Sequence, residues 1–275
     1  MIGAIIGDIV GSRFEFKDEK RTKGFRLFED DCRPTDDTYM TIAVALALVE
    51  ANGNYDNLDE LAKKWMHKVG CDHRTATWGK SFYDWLFVEG KDVPYNSYGN
   101  GSGMRVSAVG WVADSEEQVK ELSYKVTAIS HNHPLGLKGA EAVAMAVYMA
   151  RVGKPMKEIR NKMTEYYPIL LDKKFNMREL FANYGYDHGT WITCEGSIPQ
   201  ALLCFLESTS FEDAIRNAIA IGGDSDTIGA MAGSIAEAYY GVPDKIKDEA
   251  FDFLTSDVLK ACKDFEKIRK PRVER

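Results

Sequence analysis

Two short acidic segments, Thr35-Asp36-Asp37-Thr38 and Asp224-Ser225-Asp226-Thr227, each offer two carboxylates next to hydroxyl groups, and they stand near opposite ends of a 275-residue chain. Each precedes an apolar run. Helix capping accounts for either segment alone, because Asp and Thr side chains accept the unpaired N–H groups of a first helical turn and acidic residues suit its dipole. One oxygen would be enough for a cap, however. Brought together, Asp36, Asp37, Asp224 and Asp226 would repel one another strongly, and their summed charge would balance two divalent cations. A donor set of carboxylate and hydroxyl oxygens suits Mg²⁺ or Mn²⁺ better than zinc, which favours His and Cys. Two such ions ~3.5–4 Å apart can orient a substrate, polarise its oxygens and activate water. The chemistry this implies is metal-assisted hydrolysis; capping stays open as the alternative for each segment.

Helices are the elements that would carry these groups. Apolar residues recur at three- and four-residue spacing in Thr38–Glu50, Leu58–Val69, Gly139–Val152, Ser197–Glu207, Phe211–Ile221 and Ile228–Tyr240, which is the helical period. Small residues in Ala140–Ala146 and Ile228–Ser234 allow close helix–helix approach in an interior. Gly3, Gly7 and Gly11 fall on one face if the first segment is helical. A strand followed by a turn is the alternative there. No Walker-type Gly-Lys-Ser/Thr and no G-x-G-x-x-G turn occurs, so a nucleotide-binding α/β sheet is not expected. The stretch Glu89–Gly103, rich in Gly, Asn, Ser and Tyr, has no helical period and reads as a loop, either ordered for function or mobile at the surface.

Bulk properties narrow the function classes. Apolar residues make up 45% and charged residues 28% of the chain, which is ordinary for a globular protein, and one domain spanning 1–275 is expected. A net charge of −7 argues against extended nucleic-acid binding. The basic tail Lys267–Arg275 reads as a solvated end. Five cysteines, Cys32, Cys71, Cys194, Cys204 and Cys262, form no Cys-x-x-Cys pair and read as reduced structural thiols. The apolar start Met1–Ile6 has no basic leader and is interrupted by Asp8, well short of the ~18 residues of a membrane span. A cytoplasmic location, no membrane association and a monomeric state are the corresponding expectations.

The acidic segments belong to a longer series of motifs. The chain carries Gly7-Asp8-Ile9-Val10-Gly11 with Phe14-Glu15, then Thr35-Asp36-Asp37-Thr38, then Gly99-Asn100-Gly101-Ser102-Gly103-Met104-Arg105, then Ser130-His131, and finally Gly222-Gly223-Asp224-Ser225-Asp226-Thr227. In this order and over nearly the whole length, it resembles the ADP-ribosylglycohydrolases. That resemblance implies an all-α orthogonal multi-helix bundle and hydrolysis of an ADP-ribosyl glycosidic bond at a centre of two divalent cations, Mg²⁺ or Mn²⁺. ADP-ribose would be released from a modified protein or a small ADP-ribosyl substrate, with an arginine guanidinium as the leading acceptor.

Carried over residue by residue, the metal ligands implied are Thr35, Asp36, Asp37, Asp224, Asp226 and Thr227, with Asp8 behind them. Glu15 would position or activate water and relay a proton. Asn100, Gly101, Ser102, Gly103 and Met104 would form a diphosphate loop, with Ser102 donating its hydroxyl just before a helix that starts near Met104. His131 would face the substrate cleft and His133 would organise the turn before Pro134. Arg105 adds positive charge or forms a structural salt bridge. A further Asp that part of the family uses has three candidates, Asp72, Asp84 and Asp92. Tyr184, Tyr186 and Trp191 either stack on adenine or seal the core. His67, His73 and His188 carry no signal, and Cys194 has no partner that would make it a nucleophile. Two other readings stay open at this point: a Mg²⁺-dependent enzyme acting on another diphosphate, and a non-catalytic ADP-ribose-binding relative.

Overall fold

The computed structural model describes residues 1–15, 17, 22–182 and 191–274. Among these residues there is no strand, only an isolated bridge between Gly99 and Thr193. Helices follow one another along the chain as α1 Ile2–Ser12, α2 Asp36–Ala51, α3 Leu58–Asp72, α4 Lys80–Phe87, α5 Gly101–Met104, α6 Ser107–Val112, α7 Glu116–Ala128, α8 Pro134–Arg151, α9 Met156–Tyr166, α10 Met177–Ala182, α11 Cys194–Leu206, α12 Phe211–Ala220, α13 Ser225–Tyr240, α14 Asp244–Phe251 and α15 Ser256–Glu266. The all-α expectation holds.

At the centre, α1 lies along α13. Every residue of α1 is buried, so this helix cannot be amphipathic and must be surrounded. Its glycines make the close approach possible. A Cβ placed on Gly7 would sit 2.0 Å from the carbonyl oxygen of Gly229, one on Gly3 would sit 2.2 Å from that of Gly233, and one on Gly11 would sit 2.4 Å from the Cα of Asp226. Backbone meets backbone here, so no side chain could give way. The face predicted from Gly3, Gly7 and Gly11 is therefore real, and its counterpart is the Gly229/Gly233 face of α13.

This contact sets the registration of the acidic groups. α1 brings Asp8 and, in the turn beyond its end, Glu15 alongside the N-terminus of α13. Gly222 and Gly223, with φ of 76° and 80°, turn the chain into α13 through backbone conformations that L side chains rarely adopt. Gly223 also lies against the ring of Trp191, where a Cβ would come within 2.2 Å.

Around this pair, α2, α8 and α11 complete an interior in which Trp85, Trp111, Phe205, Phe211 and Phe265 are fully buried. α8 starts earlier than its apolar period suggested, at Pro134, because His133 caps it: Nδ1 accepts from Leu135 N–H at 3.1 Å. His133 thus organises the turn, as expected.

The C-terminal tail departs from the expectation of a solvated end. Arg269 lies over the Trp111 ring, 4.7 Å from its centroid. The Lys270 N–H donates to Trp111 O at 3.0 Å and the Val273 N–H to Arg151 O at 2.8 Å. Backbone carbonyls left at the ends of α6 and α8 hold the tail down, a device that leaves no trace in composition. All five cysteines are free, four of them buried and Cys71 exposed. No helix among the described residues is long and apolar enough to cross a membrane.

Candidate active site

Thr35 caps α2, accepting from Asp37 N–H at 3.4 Å, and its own hydroxyl donates to Asp8 Oδ1 at 2.6 Å. Asp8, fully buried in α1, also accepts from the Thr35 N–H at 2.9 Å, the Thr38 N–H at 3.0 Å and the Thr38 hydroxyl. One carboxylate thus ties the start of α2 to the middle of α1. Capping and site-building are the same event here, so the two readings of Thr35-Asp36-Asp37 do not compete.

The second segment meets the first directly. Thr227 Oγ1 donates to Asp37 Oδ2 at 3.1 Å, and Thr35 Oγ1 lies 3.4 Å from Asp226 Oδ2. Asp226 stands at the centre of the cluster. It belongs to two groups of three carboxylates whose ligand atoms lie within 4.8 Å of one another, Asp8 with Asp37 and Asp226, and Glu15 with Asp224 and Asp226. Asp8 and Glu15 thus stand as close to Asp226 as potential ligands must. No local motif marks that, because it follows from the α1–α13 contact.

Electrostatics express the crowding. Burial, then the neighbouring Asp226 and Asp8 charges, push Asp36 and Asp37 well above the usual carboxylate range. Asp226 is raised in the same way by burial and by Asp224. Glu15 is pushed up to about 9 by burial and by Asp226 and Asp8, with Arg33 opposing. Asp224 rises only to about 6, because burial is countered by hydrogen bonds, one from Asn100 Nδ2 at 2.6 Å. Desolvation and like charge act in the same direction on every member of the cluster. Asp37 Oδ1 is buried and has no hydrogen-bond partner among the described residues. An orphaned carboxylate oxygen inside an all-oxygen set fits a hard divalent cation.

These carboxylates form one end of a cleft of about 450 Å³, within the range of small-ligand sites. Glu15, Asp36, Asp37, Asp224, Asp226 and Thr227 line it, together with Asn100, Gly101, Met104 and His131. Asp8 and Thr35 lie just behind.

Ser102 and Gly103 are placed differently. α5 starts at Gly101 and not near Met104, and the Ser102 hydroxyl is turned inward, donating to Gly99 O at 3.1 Å and lying 3.2 Å from Cys194 Sγ. Gly103 packs beneath, where a Cβ would meet Ile198 and Met231 at 3.0 Å. The loop that precedes them is ordered by backbone bonds, Tyr95 N–H to Ser130 O, Asn100 N–H to Ile192 O and Cys194 N–H to Tyr98 O.

Trp78, Phe82 and Tyr95 also line the cleft, and sequence reasoning missed them. The available signal was the density of aromatic residues in 78–87; Trp78 precedes α4 and Phe82 lies within it, so no single helical period joins them. Trp191 packs on the Gly223 turn, and its carbonyl accepts from Asn100 Nδ2 at 3.2 Å. Tyr184, Tyr186 and His188 lie outside the described residues. Asp72, Asp84 and Asp92 are paired with Lys68, Lys91 and Lys63, and none of the three lines the cleft. His67 stacks on Trp85 with Nδ1 at 3.1 Å from Leu86 O, and His73 pairs with Asp257. Arg105 is wholly buried with no carboxylate in ion-pair range among the described residues, so it forms no salt bridge of the expected kind.

Comparison with known proteins agrees with this geometry. The profile of the ADP-ribosylglycohydrolase family matches residues 1–271. ADP-ribosylhydrolase ARH3 of Homo sapiens is 27% identical over 341 residues, covering 94% of this chain and 90% of that protein. The ADP-ribosyl-[dinitrogen reductase] glycohydrolase of Rhodospirillum rubrum is 26% identical over 263 residues, covering 88% and 85%. In fold, the chain superposes on a solved ADP-ribosylglycohydrolase-related protein complex with a TM-score of 0.67 at 19% identity, over 97% of this chain and 96% of that one. The chain belongs to the ADP-ribosylglycohydrolase family, enzymes that hydrolyse glycosidic bonds of ADP-ribose.

Proposed function

We propose that this enzyme releases ADP-ribose from an arginine guanidinium at a centre of two divalent cations, Mg²⁺ or Mn²⁺. The observation that carries the reading is the position of Asp226, which takes part in both carboxylate groups of the cluster. Thr35, Asp36, Asp37, Asp224, Asp226 and Thr227 would hold the ions, with Asp8 orienting Thr35 from behind. Bound there, the cations would supply positive charge for the ribose hydroxyls and for water.

The remaining chemistry belongs to the chain. Breaking a ribosyl bond builds positive charge on the anomeric carbon, and the leaving nitrogen must gain a proton while water loses one. Glu15 stands at the edge of the cluster, half-buried, beside Asp226 and Asp224. With bound cations offsetting the Asp226 and Asp8 charges that raise it, Glu15 would hold the attacking water, take its proton and pass it towards the leaving group. Asn100 bridges the walls of the cleft, since one amide contacts Asp224 while its backbone sits in the glycine-rich loop. Ribose at the carboxylates and diphosphate at the loop would therefore be held at a fixed distance. Trp78, Phe82 and Tyr95 offer flat apolar surface to a base or to the acceptor.

In this proposal the whole chain acts as one monomeric unit in a reducing cytoplasm, in keeping with its free cysteines. Incubation with arginine-linked and serine-linked ADP-ribosyl peptides, with release of ADP-ribose followed by chromatography, tests the reading. Faster release from the arginine linkage is expected. Release confined to the serine linkage would reject the acceptor assignment.

A further inference from the structure

Among the described residues Arg105 is the one large charged side chain that is fully buried. Its Nε and Nη1 have no hydrogen-bond partner among the described residues. Its guanidinium lies over Phe82, 5.3 Å from the ring centroid, and its Nη2 donates to Ser130 Oγ at 2.7 Å. A buried cation with two unpartnered nitrogens is costly, so its retention calls for a role.

The hydrogen-bond directions show what it does. A guanidinium can only donate. Ser130 Oγ therefore accepts from Arg105, and the nearest acceptor for its own proton is His131 Nδ1, 2.9 Å away. Arg105 Nη2 also faces Nδ1, at 3.4 Å. A proton on Nδ1 would face the Arg105 N–H and take from the buried Ser130 hydroxyl the acceptor for its own proton. The opposite ring nitrogen faces the glycine-rich loop: a Cβ on Gly101 would lie 3.3 Å from Nε2, and one on Gly99 would lie 3.6 Å from it. His131, Gly99 and Gly101 all line the cleft.

We infer that Arg105 is a positioning residue which, through Ser130, fixes His131 in the Nε2–H form and so presents a preset hydrogen-bond donor beside the glycine-rich loop. Burial together with the Arg105 charge holds His131 well below its ordinary range, so the imidazole is neutral and the choice of tautomer is the only freedom left to it. The donor has the polarity that a phosphate or sugar oxygen requires. For its ligand the inference rests on the ADP-ribose reading; for the tautomer it does not.

The test has two arms. Long-range ¹⁵N–¹H NMR of the labelled full chain, with His131 assigned by its loss in His131→Gln, should show a neutral ring protonated at Nε2. Arg105→Met should mix the two tautomers, with Arg105→Lys in between. A wild-type ring protonated at Nδ1, or tautomers unchanged in a folded Arg105→Met, overturns the inference.

If Arg105→Met does not fold, the binding arm decides. ADP-ribose is titrated into the wild type and into His131→Gln, whose amide N–H reaches the place of Nε2, and His131→Asn, whose amide reaches that of Nδ1. We expect the Gln variant to bind within about threefold of wild type and the Asn variant to lose about tenfold, roughly 1.4 kcal/mol. Equal losses in both overturn the inference. Absence of ADP-ribose binding to the wild type would instead reject the substrate reading, with the NMR arm still judging the tautomer.

Discussion

Thr227 donates its hydroxyl proton to Asp37 Oδ2 at 3.1 Å, across 190 positions of sequence. The bond joins the first turn of α13 to the first turn of α2, so two helix N-termini face each other across a shared set of carboxylates. Their alignment depends on α1, whose glycines let it lie directly on α13 and whose Asp8 grips the start of α2.

The glycine contact leads to a stability prediction. Gly7→Val would push a branched side chain into the Gly229 carbonyl, which a Cβ alone already meets at 2.0 Å. Overpacking of this kind costs about 1–3 kcal/mol, and more when only backbone can move. Urea denaturation should show a loss of at least this size, with weaker Mn²⁺ binding in whatever fraction folds.

Asp226→Asn should have the larger effect on metal affinity, because Asp226 belongs to both carboxylate groups while Asp224 belongs to one. Calorimetric titration with Mn²⁺ should show a loss beyond the roughly 10–100-fold expected for an outer partner of a metal ligand. Asp224→Asn should retain binding at the other group. An equal loss in both variants would contradict the sharing of Asp226.

Glu15→Gln keeps the shape of the side chain and removes its ability to take a proton. Turnover should fall by roughly 10²–10⁴-fold, while affinity for ADP-ribose stays close to that of wild type. A parallel drop in affinity would make Glu15 a binding group only.

The metal-free protein should lose stability as pH rises. Glu15 titrates at about 9 when folded against an ordinary value of 4.5, and Asp224 at about 6 against 3.8. Between those values the folded state binds more protons than the unfolded one, so unfolding free energy declines with pH. For Asp224 the decline runs from pH 3.8 to about 6, and for Glu15 from 4.5 to about 9. Thermal melts of EDTA-treated protein from pH 5 to 9 should show a falling Tm, and added Mg²⁺ or Mn²⁺ should flatten the slope.

Asp72, Asp84 and Asp92 form salt bridges with Lys68, Lys91 and Lys63 outside the cleft. Each Asn variant should keep wild-type turnover with little change in stability, because these are exposed surface pairs. A turnover loss in any one of them would make that residue part of the chemistry.

Much of this arrangement could be read from residue order, and the rest could not for physical reasons. Helices such as α2 and α13 bury broad faces, so their period is plain in sequence, and so is the small-residue face of α1. By contrast, α9 buries only Ile159 and Met163, and α14 only Ile246 and Ala250. Two apolar residues leave almost no period. The acidic segments and Glu15 were legible as motifs, but the nearness of Asp8 and Glu15 to Asp226 depends on the crossing of α1 and α13. The inward turn of the Ser102 hydroxyl rests on its contacts with Gly99 O and Cys194 Sγ, the second of which comes from a distant helix and leaves no local pattern. Likewise, no local pattern tells that Arg105 finds Ser130 and not a carboxylate.

The central claim is that the clustered carboxylates serve divalent cations in cleaving an ADP-ribosyl bond. Its most direct test is ADP-ribose release from an ADP-ribosylated peptide by protein stripped with EDTA, then resupplied with Mg²⁺ or Mn²⁺. We predict that release is abolished by stripping and restored by either ion in the wild type, and by neither in Asp226→Asn. Undiminished release from fully stripped protein would contradict the account.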